Sequence, residues 1–64
     1  MGAVASYAFF IGADLMGEFD TREEAERALD AMVQAEPSAA EEFAVFELDE
    51  SGKFVGEPLR RTAA

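Results

Sequence analysis

The stretch Thr21–Glu36, TREEAERALDAMVQAE, decides how the rest of the chain is read. Its apolar residues Ala25, Ala28, Leu29, Met32 and Val33 recur at three- and four-residue intervals, which lines them up along one stripe of an α-helix. Arg22, Glu23, Glu26, Arg27 and Asp30 fall largely on the opposite face. There Glu23 and Arg27 have the spacing and order of a favourable i,i+4 ion pair. Thr21 is placed to be the N-cap, and Glu24 three residues on completes a capping box. Pro37 ends the helix, because proline disfavours helical geometry in the residue before it. Ser38 and Glu41 repeat the capping-box spacing, so a single helical turn is expected to follow.

On each side of the helix lies a pair of predicted strands. Ser6–Ile11 and Phe43–Leu48 are rich in aromatic and branched residues. Gly12-Ala13-Asp14 and Asp49-Glu50-Ser51-Gly52 are turn-forming segments short enough to close hairpins. The return strands are Leu15–Phe19 and Lys53–Glu57, so the elements read β-β-α-β-β. Leu15-Met16-Gly17-Glu18-Phe19 aligns with Phe54-Val55-Gly56-Glu57-Pro58, which suggests that the two hairpins play equivalent parts in one sheet. The first and third strands are the most apolar, as central strands are; the second and fourth carry glycine and charge, as edges do. The expected fold is therefore α+β: a four-stranded antiparallel sheet of order 2-1-3-4, with one helix packed on one face.

Alternation along each strand sorts its residues between the two faces. The more apolar sets, Tyr7, Phe9 and Ile11 with Ala44, Phe46 and Leu48, are expected to face the helix, joined by Leu15, Phe19 and Phe54. Phe10, Met16, Phe43, Val45 and Val55 then fall on the face that the helix does not cover. An open antiparallel face is normally polar, so an apolar one marks an expected interface.

Sixty-four residues make one domain, 1–64, with an ordered core expected over about 4–59 and a flexible tail over 60–64. A chain this short buries only about 60% of the surface its unfolded form exposes, which makes disulfides, metals or self-association the usual supports. There is no cysteine for a disulfide. There is no histidine either, so the commonest transition-metal ligand and general base is missing. Fourteen acids against five bases give a net charge of −9, which opposes direct binding to nucleic acid or to anionic membranes. The apolar run Val4–Ile11 has no preceding Lys or Arg and is too short to span a bilayer, so a cytoplasmic location is expected. Gly2 and Ser6 fit the short myristoylation pattern, without the polybasic second signal that stable anchoring needs.

The residues hold no recognisable catalytic constellation. Ser6, Thr21, Ser38, Ser51 and Thr62 have no His or Cys partner, and Lys53 is the only lysine. The adjacent carboxylates Glu23–Glu24, Glu41–Glu42 and Asp49–Glu50 do not face each other across a sugar-binding cleft. The turn at Asp49 lacks the alternating ligands of a calcium loop, and Arg60 stands where the closing Glu belongs. No metal, cofactor or catalytic residue is predicted. The one basic cluster, Arg60-Arg61, is expected to dock on the protein's own acids or on a neighbour's.

The expected function is a non-enzymatic protein-interaction module, a homodimer formed through Phe10, Met16, Phe43, Val45 and Val55. The alternative is an acidic regulator, antitoxin-like or inhibitory, that binds a basic partner protein by charge.

Overall fold

The computed structural model describes residues 4–61. Strands β1 (Ser6–Ile11) and β3 (Phe43–Leu48) have the boundaries their composition predicts. The return strands are β2 (Asp14–Phe19) and β4 (Phe54–Leu59). All neighbours are antiparallel, in the order β2-β1-β3-β4, so the predicted topology is the observed one. Helix α1 (Arg22–Ala35) packs against one face of this sheet.

Local chemistry explains each boundary. The β1–β2 loop is Gly12-Ala13, with Gly12 at φ +62°, the left-handed region that a side chain would strain and that a two-residue hairpin needs. In the β3–β4 turn one oxygen of Asp49 accepts from the N–H groups of Ser51 (2.9 Å) and Lys53 (3.0 Å) and from the Ser51 hydroxyl (2.7 Å). The Ser51 hydroxyl and these backbone donors hold the Asp49 carboxyl below its ordinary range. A carboxylate whose pKa falls on folding stabilises the fold above its unfolded pKa, near 4, and loses that contribution as pH drops through the folded value. Asp49→Ala should therefore lower the melting temperature at pH 7, with the gap from wild type narrowing at pH 2. A gap equal at both pH values would mean that the carboxylate charge does nothing for the turn.

Thr21 is the N-cap of α1, in extended backbone, and its hydroxyl oxygen accepts from the Glu24 N–H at 3.2 Å. The Glu24 carboxylate accepts from that same hydroxyl at 3.1 Å, instead of reaching back to the cap's backbone N–H as a full capping box would. Thr21→Ala should cost about 1 kcal/mol and lower the melting temperature by roughly 4–8 °C. An unchanged melting curve would pass the capping role to Asp20.

Two local expectations are corrected. The helix-surface ion pair is Arg22–Glu26, 2.6 Å apart, and not Glu23–Arg27. The hydrogen bond from Arg22 holds Glu26 below the ordinary carboxylate range. Ser38 is not a cap either: the short 3₁₀ segment Pro37–Glu42 follows Glu36 with no side-chain cap, and proline opens it where an N–H has no partner to lose.

Of the basic pair, only Arg61 docks on the chain's own acids; Arg60 binds a backbone carbonyl. Arg61 donates to Glu26 (3.0 Å) and Asp30 (2.9 Å), and Arg60 donates to the Glu41 carbonyl oxygen (2.9 Å). Gly2, of the myristoylation pattern, and residues 62–64 of the expected tail lie outside the described residues.

The core lies between α1 and the sheet. Ala25 and Leu29 are wholly buried against Phe9, Phe43 and Val45, with Tyr7, Ile11, Phe19, Met32, Val33 and Leu59 around them. The ring centroids of Phe9 and Phe43 are 6.0 Å apart. The predicted stripe of α1 is thus the buried one, and the predicted inward set of β1 does face the helix.

For β3 and β4 the expected faces are exchanged. Phe43 and Val45 are core residues, 2% and 0% exposed, while Phe46 and Phe54 lie on the opposite side of the sheet. The misleading residue was Glu47, whose charge suggested that its set faces water. In fact Glu47 stands at the far end of β3, beyond the apolar stripe and within electrostatic reach of Arg22 at the start of α1. A charge at a strand's end is compatible with a buried face. Val55, paired with Glu47, follows it to the helix side, and Phe54, paired with Leu48, goes to the other.

Candidate interaction surface

β2 is assigned to its faces by a bulge. Phe9 pairs with Gly17, but the next residue, Phe10, pairs with Leu15, so Met16 has no partner. One extra residue reverses the alternation beyond it. Phe19 therefore faces the helix as expected, whereas Leu15 is carried to the open face beside Phe10. Met16 turns towards the helix side, where it lines an apolar cleft of about 280 Å³ with Phe9, Ile11, Phe19, Ala28 and Met32. Gly17, which has no side chain, leaves that cleft open.

The uncovered face can now be built from pairing alone. β1 contributes Ser6, Ala8 and Phe10; β2 contributes Leu15 and Glu18; β3 contributes Ala44, Phe46 and Leu48; β4 contributes Phe54. Phe10, Phe46 and Phe54 form an aromatic group across three strands. Phe46 stacks on Phe54 at 4.8 Å, and Phe10 meets Phe46 edge-on at 5.1 Å and Phe54 at 6.3 Å. Both geometries are favourable aromatic contacts. Ala8 and Ala44 are buried on this side although no helix covers it. Leu15 and Phe54 remain 52% and 60% exposed.

Of the five predicted interface residues, then, Phe10 alone lies on the open face. Phe43 and Val45 are in the core, Met16 lines the cleft, and Val55 is on the helix side. The residues missed are Phe46, Phe54, Leu15 and Leu48. For the first two the signal was in the sequence: taking Glu47 as a strand-end residue puts Phe46 outward, and hairpin pairing takes Phe54 with it.

The charge is distributed unevenly between the layers. Among the residues that pairing places on the open face, only Glu18 is ionisable. The mixed charges Arg22, Glu23, Glu26, Arg27 and Asp30 lie together on the outer side of α1. Among the described residues no His, Cys, Asp or Glu side chains cluster in a way that could hold a metal ion. No polar or charged residue among them is buried. No helix among them is long and apolar enough to cross a membrane.

Comparison with family models, curated proteins and solved structures found no match. What this surface does must be argued from its own chemistry.

Proposed function

We propose that this chain is a non-enzymatic protein-interaction module that associates with a second copy of itself through the open sheet face. The observation that carries the proposal is the aromatic group Phe10–Phe46–Phe54, flanked by Leu15 and Leu48 on a face that no other element among the described residues covers. Small domains with thin cores gain from burying such a face against a partner.

The distribution of charge favours a second copy over a basic partner at this surface. Among the described residues that pairing places here, a basic protein would find only Glu18 to pair with, whereas two copies would bring few like charges together. The alternative reading, capture of a basic partner by the −9 chain, would have to use the helix layer and the turns.

Light scattering over a concentration series at low and high salt tests the proposal. The mass should rise from one chain towards two, and should do so more readily at high salt, because screening weakens repulsion between two acidic subunits. A basic partner bound by charge would instead be released by salt. A protein still monomeric at high micromolar concentration would defeat the dimer.

A further inference from the structure

We infer that two copies stack face to face as a closed two-sheet sandwich with both helices outside, and do not extend one sheet across its edges. This rests on the self-association proposed above and names its geometry. A four-stranded sheet offers a second copy either a face or an edge, and here both edges are spoiled. In β2 the unpaired Met16 bulges the strand. In β4 the ladder breaks between Glu47↔Val55 and Val45↔Leu59, leaving two extra residues on the β4 side. Gly56 takes φ +68° inside that break, and Pro58 has no N–H to offer a neighbouring strand. Bulges, proline and irregular hydrogen-bonding groups are how edge strands are kept from pairing.

The face between those edges has the opposite character. Its aromatic group spans three strands, and among the described residues that pairing places on it Glu18 is the only ionisable side chain. Strand spacing and residue rise give it a footprint of roughly 400 Å² per copy. A specific interface usually buries about 800 Å² per partner; even the whole face supplies only about half of that, so the dimer should be weak and reversible. Stacked sheets lie about 10 Å apart, which lets Phe54 and Leu15 fill the space between them. The outer side of each α1, with its mixed charges, then points to solvent.

The chain has no cysteine, so single introduced thiols report contact directly. Ser6→Cys puts one on the open face, and Glu57→Cys puts one on the β4 edge. Maleimide labelling rates would be followed through a dilution series, with light scattering on the same samples. Where nine-tenths of the chains are paired, labelling of the Ser6→Cys variant should slow about tenfold, since only free monomer reacts. Labelling of the Glu57→Cys variant should not change. An unaffected Ser6→Cys variant in a sample that scatters as a dimer overturns the sandwich. Slowing of the Glu57→Cys variant alone would assign the contact to the edge while self-association stands. Monomers at every concentration would remove the dimer and the sandwich together.

Discussion

The double substitution Phe43→Lys with Val45→Thr should unfold the protein. Both side chains are buried, with Val45 wholly out of solvent, and both pack against Leu29 and Ala25 of α1. Removing a buried Phe side chain costs about 3–5 kcal/mol, and burying a lysine ammonium without a partner adds to that. A domain of this length has roughly 3–10 kcal/mol of total stability. Far-ultraviolet circular dichroism should therefore show loss of the helix and sheet signal at 25 °C. The assignment of faces by residue composition leads to the contrary outcome, a folded monomer. A double variant with a cooperative melt near that of wild type would restore that assignment and sink the core described above.

The difference between those outcomes shows where the sequence is informative. Element types follow from strong local signals: the 3.6-residue stripe from Ala25 to Val33, the cap at Thr21, and turns at Gly12 and Asp49. Each acts within a few residues, so each can be read without knowing the rest. Strand order follows instead from the greater apolarity of β1 and β3. The faces depend on register, which is a relation between strands. For β1 the two sets differ enough in size for hydrophobicity to choose correctly. For β3 both sets are largely apolar and Glu47 is the residue that tips the choice, although the strand's end accommodates its charge within electrostatic reach of Arg22. For β2 the deciding feature is a bulge at Met16, and Gly17, the strand-interior glycine that hints at it, does not say on which side the extra residue falls. The apolar open face was legible as a consequence of two apolar sets in β3 and a single helix. Its membership was not, because alternation fixes which residues share a face but not which face the helix takes.

Replacing Leu15 and Phe54 together with lysine should leave a folded protein that no longer self-associates. Both are about half exposed on the open face, and neither belongs to the cluster around Leu29. The fold loses the Phe46–Phe54 stack, a contact worth about 0.5–1.5 kcal/mol at most in so exposed a setting. A dimer loses more. Full burial of a Leu or Phe side chain contributes on the order of 1.5–3 kcal/mol, and two half-exposed side chains from each copy make about 3 kcal/mol or more. That corresponds to over a hundredfold in Kd, enough to take a weak dimer out of the accessible concentration range. The charge change works in the other direction, since two added lysines reduce the net charge from −9 to about −7 and so weaken repulsion between copies. Lost association would therefore report lost apolar contact. Light scattering reads the mass, circular dichroism confirms the fold, and the milder Phe54→Ser provides a second variant should the lysines disturb the sheet. A folded variant that dimerises as the wild type does would show that the aromatic face is not the contact surface.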